Sequence, residues 1–231
     1  MRGVVNWKHF PTLTANASDH WVVLVPGAEP RFATVEEVAR AFGIPRASSM
    51  YAMLAAPVLT CNQAVESLGR SVHVGCARAI VRMLLSQGWI AAGLRYGSMF
   101  SGIDTFAVGL EAELGEGWSY RFASECREPA QRALLAAWGA RGLTAEAVHG
   151  DAQSEEAICE QQVGMLVCSP ECGSGSRQNY DRELDTQRVA LGKVWVALGY
   201  VRRALPKVVV VENVCEPCTV GPQCGSQLRL P

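Results

Sequence analysis

The chain has 231 residues, of which 49% are hydrophobic and 19% are charged, and its formal net charge is −1. These values suit one globular domain with a core of its own, and they argue against a nucleic-acid binder that relies on net positive charge alone. No apolar run is long enough to span a bilayer and no signal-peptide pattern opens the chain, so we expect an intracellular protein with no membrane partner. Its compartment would be the nucleus in a eukaryote, or the cytoplasm if the source is bacterial or a phage.

The first 92 residues predict a small helical segment. Residues 34–42 have a helical pattern, with Thr34 as N-cap and Glu37 three residues on, which is typical of a capping box. Residues 72–87 predict a second, amphipathic helix that ends at Gly88. Between these two helices the sequence is rich in Ala, Pro and Ser and predicts a looser connection.

From residue 94 onward, strand patterns alternate with helix patterns. Strand patterns occupy residues 96–101, 120–125, 145–149, 163–168 and 208–211, and the apolar runs at 163–168 and 208–211 are typical of strands covered on both faces. Helical spacing of apolar residues predicts helices at residues 105–114, 129–138 and 186–205. This alternation predicts an α/β fold with a doubly wound, mostly parallel sheet and right-handed crossovers.

Two chemically active residues each follow a buried-strand pattern. Cys172 comes just after the strand at 163–168, and Glu212 comes directly after the strand at 208–211. In open α/β sheets, ligands bind just beyond the carboxyl ends of such strands. A lone cysteine among the nine in this chain is more often a structural thiol. A thiol and a carboxyl at two strand ends, however, can act as nucleophile and proton donor on one substrate.

The order of motifs between residues 100 and 214 resembles that of the C5-cytosine DNA methyltransferases. Residues 100–111 resemble the family's first motif, a glycine-containing turn that leads into a helix, and residues 212–214 match its Glu-Asn-Val motif without change. Cys172, in a Ser-Pro-Glu-Cys sequence, matches the family's nucleophile. The resemblance implies a Rossmann-like class I methyltransferase that uses S-adenosyl-L-methionine.

The resemblance further implies which residues surround this cofactor. Glu125, at the end of the second strand, would hold the ribose hydroxyls, and Asp151 would lie near the adenine amino group. The full expected set is Ser71, Val72, Phe100, Ser101, Gly102, Ile103, Thr105, Glu125, Cys126, Asp151 and Ala152.

The implied reaction takes place on a cytosine that is flipped out of double-stranded DNA. The thiolate of Cys172 would add to C6 of the base. Glu212 would stabilise the developing charge at N3 as an acid while C5 takes the methyl group. Thr12, in a segment that resembles the stretch after the target-recognition region, would contact the nucleic acid.

The N-terminal segment resembles the other end of the same family. Residues 31–45 and 63–72 resemble its last motifs, which follow the catalytic core in most members. The simplest interpretation is a circular permutation, since domain termini often lie close together at the surface. The chain then divides into a permuted segment at 1–92, a cofactor-binding and catalytic core at 93–214, and an irregular tail at 215–231 that ends before a target-recognition domain.

The chain also departs from the family pattern. Glu171 replaces the proline before the nucleophile, and Arg70 replaces the asparagine of the Gly-Asn-Ser-Val motif. No target-recognition motif follows Val214, so we expect a partner chain or a further C-terminal segment to supply it. Two alternatives stay open: a catalytically silent cofactor-binding or regulatory subunit of a split methyltransferase, and a cytosine-C5 methyltransferase that acts on RNA such as tRNA.

The cysteines are expected to be free thiols, because a chain without an export signal rarely carries a disulfide framework. Cys215, Cys218 and Cys224 have a spacing that suggests zinc, but a closed zinc site needs four ligands and no fourth is evident. We therefore predict no metal site.

Overall fold

The computed structural model of the protein describes residues 22–23, 27, 29–152, 162–170 and 184–213. In its N-terminal part, a two-stranded antiparallel ribbon precedes four helices. The strands are β1 (Val22–Val23) and β2 (Arg31–Phe32), and the helices are α1 (Val35–Ala41), α2 (Ser49–Ala55), α3 (Cys61–Gly69) and α4 (Val74–Ser86). Within the described ranges, no helix has the length and apolar composition that crossing a membrane requires.

The N-terminal helices begin at capping residues. Thr34 accepts a hydrogen bond from the Glu37 backbone N–H (3.2 Å), and the Glu37 carboxylate accepts one from the Thr34 N–H (2.9 Å), so the predicted capping box is confirmed. Thr60 and Gln63 make the same reciprocal pair at the start of α3. The expected loose connection between α1 and α4 is wrong, because Ser48 and Thr60 cap two short helices there.

From residue 94 the chain forms a five-stranded parallel sheet. Its strands and helices are β3 (Leu94–Met99), α5 (Thr105–Leu114), β4 (Trp118–Ser124), α6 (Glu128–Trp138), β5 (Val148–His149), β6 (Met165–Cys168), α7 (Leu184–Ala204) and β7 (Val208–Val211). The strand order is β5–β4–β3–β6–β7, and every neighbouring pair is parallel. The predicted Rossmann-like α/β fold is therefore confirmed. Since the order of the strands reverses between β3 and β6, a ligand crevice is expected beyond the carboxyl ends of these two strands.

Some strand boundaries differ from the predicted ones. β3 and β4 begin two residues earlier than their patterns indicated, at Leu94 and Trp118. The third predicted strand is mostly wrong, because Ala145–Ala147 form a 3-10 helix and only Val148–His149 pair with β4. Ala and Glu have low strand propensity, which explains why the pairing starts only at Val148.

The sheet separates two buried clusters of apolar side chains. Along β6, Met165 and Val167 belong to the cluster that includes α4, α5 and α6, whereas Leu166 and Cys168 belong to the cluster that includes Tyr200 of α7. This period of two is the alternation of a pleated strand. Helices therefore cover both faces, and the sheet is doubly wound.

Helix α4 packs closely along α5, the first helix of the sheet region. The approach depends on Gly109, because a Cβ at this position would lie 3.1 Å from backbone atoms of Ala77. At the start of α5, the Thr105 hydroxyl donates a hydrogen bond to the Val72 carbonyl (2.7 Å). This hydrogen bond fixes the N-terminal segment to the sheet region just beyond the carboxyl end of β3.

Candidate functional site

The segments that follow the sheet strands lie side by side at the carboxyl edge of the sheet. Backbone hydrogen bonds join them: Ser101 N–H to the Ser124 carbonyl (2.9 Å), Ser169 N–H to the Met99 carbonyl (3.2 Å) and Glu212 N–H to the Cys168 carbonyl (2.9 Å). The predicted residues that follow β3, β4 and β7 therefore share one edge of the sheet.

The loop after β3 has an unusual backbone conformation. Phe100, Gly102 and Asp104 have φ angles of 56°, 56° and 55°. Non-glycine residues adopt this conformation rarely, and such strain is concentrated at functional sites. A Cβ at Gly102 would meet no atom within 4 Å, so a ligand can approach the backbone there. Ile103, another predicted cofactor residue, is instead fully buried in the core.

A buried carboxylate holds this loop onto the sheet. Asp104 accepts hydrogen bonds from the hydroxyls of Tyr96 (2.9 Å) and Tyr120 (2.5 Å), and from the Ala107 N–H (3.1 Å) at the start of α5. Burial raises the pKa of Asp104. Burial, together with the nearby Asp104 charge, raises the pKa of both tyrosines well above the usual range, so their hydroxyls stay protonated and act as donors.

Serine hydroxyls extend this polar network toward the crevice. The Ser98 hydroxyl oxygen lies 2.5 Å from that of Ser101 and 2.6 Å from that of Tyr120. The Ser101 hydroxyl also accepts a hydrogen bond from the Ser124 N–H (3.3 Å). Ser101, a predicted cofactor residue, therefore ties the loop after β3 to the end of β4.

Glu125 directly follows β4 and is only 6% exposed. Its Oε2 accepts a hydrogen bond from the Gly102 N–H (2.8 Å), and its Oε1 accepts bonds from the Arg127 backbone N–H (2.8 Å) and Nε (3.1 Å). The structure therefore brings two predicted cofactor residues, Gly102 and Glu125, into direct contact. A carboxylate held beside an open glycine can accept hydrogen bonds from the hydroxyls of a ribose.

Arg127 connects this carboxylate to helix α3. One of its guanidinium nitrogens lies 3.6 Å from Oε1 of Glu66, and the same oxygen lies 3.0 Å from a guanidinium nitrogen of Arg70. The sequence motifs did not single out Arg127 or Glu66, since the two residues come from distant parts of the chain and only the fold brings them together.

The predicted residues of the N-terminal segment lie near the same loop. Ser71 follows α3, and its hydroxyl donates a hydrogen bond to the Ser67 carbonyl (2.7 Å). The backbone carbonyl of Val72 accepts a hydrogen bond from the Thr105 hydroxyl. The structure therefore places Ser71 and Val72 beside the start of α5.

The other predicted residues lie near the ends of β4 and β5. Cys126 is exposed, with its sulfur 3.8 Å from Oε1 of Glu125. The Glu125 N–H donates to the His149 carbonyl (2.9 Å), which joins the two strand ends. Two residues further on, Asp151 is exposed and Ala152 is buried.

At the end of β7, the Glu-Asn sequence meets the segment that follows β6. The Glu212 N–H bonds to the Cys168 carbonyl, and the Asn213 side-chain amide donates to the Pro170 carbonyl (3.3 Å). The Glu212 side chain is exposed overall, yet partial desolvation of its carboxyl raises its pKa. Pro170 stands two residues before Cys172 in the sequence.

Cys168 is fully buried, and burial raises the pKa of its thiol to about 12, so it is not a nucleophile near neutral pH.

Across the part of the chain that the structure describes, no group of three or more His, Cys, Asp or Glu side chains is placed to hold a metal ion. Several residues of the sequence interpretation lie outside the described residues: Thr12, Cys172, Val214, Cys215, Cys218 and Cys224.

The motifs also did not single out the network around Asp104. An aspartate directly before the predicted helix start at Thr105 is a recognisable N-cap signal. Its partners Tyr96 and Tyr120 are not recognisable in the sequence, because they become neighbours only through the parallel register of β3 and β4.

The strand order and the crevice define a Rossmann-like α/β protein with a candidate ligand site at the reversal of the strand order. No protein-family model matches the chain, and no curated protein matches it. Among solved structures, the chain is similar to the crystal structure of TrmN from Thermus thermophilus, with 17% sequence identity and a TM-score of 0.42. The match covers 73% of this chain and 42% of that chain, so this chain spans less than half of the TrmN structure.

Proposed function

We propose that the chain is a circularly permuted member of the C5-cytosine DNA methyltransferases, and that it transfers a methyl group from S-adenosyl-L-methionine to C5 of cytosine in DNA. The observation that carries this proposal is the contact between Asn213 and Pro170. It joins the Glu-Asn sequence to the segment leading to Cys172, and two residues extend over at most about 7 Å of chain. The proposed acid and nucleophile therefore belong to adjoining segments.

The residues at β3 and β4 fit the proposed cofactor. The open backbone at Gly102 and the beginning of α5 suit the close approach of a ligand, and Glu125 would hold the ribose hydroxyls. Asp151, which is exposed at the end of β5, would face the adenine. When bound, S-adenosyl-L-methionine supplies an electrophilic methyl group.

The protein residues would act on a cytosine that is flipped out of the duplex, at a cost of a few kcal/mol. The Cys172 thiolate adds to C6, which makes C5 nucleophilic. Glu212 holds a proton at N3 and stabilises the charge that develops on the ring. After methylation, loss of the C5 proton and elimination of Cys172 restore the aromatic base and the free thiol.

The raised pKa of Glu212 supports its role as an acid. A raised pKa keeps a larger fraction of the carboxyl protonated near neutral pH, which a proton donor toward N3 requires. Its cause is desolvation at the end of β7, so a bound base that excludes more water would enlarge the effect.

The packing of the N-terminal segment supports the proposed permutation. Helix α4 lies against α5 at Gly109, and Val72 is tied to Thr105 beside the loop after β3. In the family that the chain resembles, the last helix packs beside the first strand and the residues before it close the cofactor pocket. The packing of α4 against α5 and the bond of Val72 to Thr105 are consistent with such an arrangement, made by residues that come first in the chain.

The proposed partners are double-stranded DNA and a chain or C-terminal segment that supplies target recognition. The test is covalent trapping on DNA that contains 5-fluorocytosine, with the chain alone and with the sequence encoded downstream of it. We expect the wild type to form an adduct that resists denaturant, and Cys172→Ser to form none. The control is Cys76→Ser, which changes an exposed cysteine and should form the adduct as the wild type does.

Other outcomes of this assay identify the alternatives. Binding of S-adenosylhomocysteine without any adduct would indicate a catalytically silent subunit. An adduct on 5-fluorocytosine RNA but not on DNA would indicate an RNA cytosine methyltransferase. An unchanged DNA adduct in Cys172→Ser would assign the nucleophile to another residue.

A further inference from the structure

Glu125 is almost saturated with hydrogen-bond donors of the protein itself. A carboxylate offers about four lone-pair sites. Three N–H groups already occupy Glu125: that of Gly102 on Oε2, and the backbone N–H and Nε of Arg127 on Oε1, while the Cys126 thiol, a weak donor, lies 3.8 Å from Oε1. A ribose diol would bring two further donors, so one of the protein's own bonds has to give way when both hydroxyls bind.

The Arg127 side chain makes the bond that can give way. The other two N–H donors are backbone groups held by the loop after β3 and by the start of α6, whereas a guanidinium can rotate on its flexible side chain. It also has a second acceptor nearby, since one of its nitrogens already lies 3.6 Å from Glu66. A guanidinium released from Glu125 therefore keeps an ionic partner.

We propose that Arg127 is a positioning residue that exchanges Glu125 for Glu66 when a ribose diol binds, an inference that rests on the proposed function. Without a diol, Arg127 neutralises the buried carboxylate and holds it in place. With a diol, Arg127 turns to Glu66, and Glu125 accepts the two hydroxyls. Arg127 thus acts on the ligand only through Glu125.

The exchange also links the ligand to the N-terminal segment. Glu66 lies on α3, and its backbone carbonyl accepts a hydrogen bond from the Arg70 N–H (3.2 Å) at the end of that helix. Ser71 and Val72 follow directly and lie beside the loop after β3. Binding of a diol would therefore tighten the contact of α3 with the crevice, on the side where the cofactor pocket is proposed to close.

The experiment is a double-mutant cycle on the full chain, with S-adenosylhomocysteine binding measured by calorimetry. Glu66→Gln removes the negative charge of the second acceptor at a residue that does not contact the ligand, so we expect binding to weaken about two- to fivefold, the size of a partly exposed ion pair. Arg127→Met removes the competing donor, and we expect equal or tighter binding. In the Arg127→Met background, Glu66→Gln should have no effect.

Competition with nucleosides separates this exchange from a merely structural role. Glu66→Gln should weaken binding of adenosine and leave 2′,3′-dideoxyadenosine unchanged, because the latter brings no diol. Glu128→Gln is the matched control, since Glu128 pairs with Arg132 at 2.6 Å on the exposed side of α6. This control should bind both nucleosides as the wild type does.

The inference is overturned if Glu66→Gln binds S-adenosylhomocysteine as tightly as the wild type, or if its effect persists in the Arg127→Met background. An equal effect on adenosine and on the dideoxy nucleoside would also overturn it. Failure of the wild type itself to bind S-adenosylhomocysteine at millimolar concentrations would instead overturn the proposed function, and the inference with it.

Discussion

The two halves of the candidate site, one at β3 and β4 and the other at β6 and β7, are fixed by different forces. Glu125 is buried and accepts three N–H bonds, whereas Glu212 is exposed and its pKa is raised by partial desolvation. Donors that surround a carboxylate favour its use as an acceptor, while desolvation favours its protonated form. The comparison shows that one residue type meets two different environments at one sheet edge.

In the half at β3 and β4, we expect Asp104→Ala to lower the stability most. This change removes the cap of α5 and the acceptor of the buried Tyr96 and Tyr120 hydroxyls, of which Tyr120 keeps its contact with the Ser98 hydroxyl. We expect the free energy of unfolding to fall by about 3–5 kcal/mol, the sum of a lost cap, one unpaired buried hydroxyl at Tyr96 and one lost hydrogen bond of Tyr120. Urea unfolding followed by circular dichroism measures it.

A matched control for this change is Glu128→Ala, which removes a carboxylate from the first turn of α6, where its side chain is 79% exposed. Its effect should stay within about 0.5 kcal/mol, as for most surface substitutions. Equal losses in Asp104→Ala and Glu128→Ala would mean that the buried network does not hold the loop.

A second change tests how tightly β3 and β4 fit beneath the loop. A Cβ at Gly97 would lie 2.4 Å from the ring of Phe122 on the neighbouring strand. Gly97→Ala should therefore lower the free energy of unfolding by about 1–3 kcal/mol through overpacking, and Phe122→Leu in the same chain should restore part of it.

Gly164→Ala is the control for overpacking, because a Cβ there meets its nearest atom, on Leu94, at 3.4 Å, an ordinary contact. Thermal unfolding of the two single variants and the double variant provides the comparison. If Gly97→Ala is as stable as Gly164→Ala, the Phe122 ring on β4 can move aside at little energetic cost. This half of the site would then be less rigid than its hydrogen bonds indicate.

Much of the sheet region could be predicted from local patterns. The helix at Thr105–Leu114 and the strand at Val208–Val211 were predicted with the bounds observed, because helical spacing and a run of four valines are strong local signals. Helix α1 also has seven residues and was predicted from its capping box, whereas α2 and α3, of seven and nine residues, were missed because the segment was interpreted from its Ala, Pro and Ser content. Their capping residues were the signal available in the sequence.

Individual residues of the candidate site could be predicted from the sequence, but the contacts between them could not. The resemblance singled out Gly102 and Glu125, while their hydrogen bond depends on how the loop after β3 folds back toward β4. The pairing of Arg127 with Glu66 joins the segment after β4 to α3, two parts of the chain that no local pattern brings together. Contacts between distant segments follow from register and packing rather than from propensity.

A third, smaller effect is the pH dependence that Asp104 contributes to stability. Since burial raises its pKa above the ordinary value of 3.8, its contribution is fully present below that pH and is lost as pH rises through the raised pKa. The side chain at this position cannot ionise in Asp104→Asn. The amount by which the variant's free energy of unfolding lies below that of the wild type should therefore shrink as pH rises from 3.5 to 7. Urea unfolding of both proteins across this range measures the difference, and a deficit that grows with pH would contradict the assignment.

The smallest expected effect, at Glu212, tests the comparison between the two halves most directly. In Glu125→Gln the new amide must turn its NH2 toward either Gly102 N–H or Arg127, so the free energy of unfolding should fall by about 1–2 kcal/mol. Glu212→Gln removes a charge whose ionised form is already disfavoured by desolvation, and it should change stability by less than about 0.5 kcal/mol. Urea unfolding at pH 7 compares the two variants. Equal losses would mean that the β6–β7 half is also held by bonds to the charged carboxylate, and Glu212 would then be placed as an acceptor rather than as an acid.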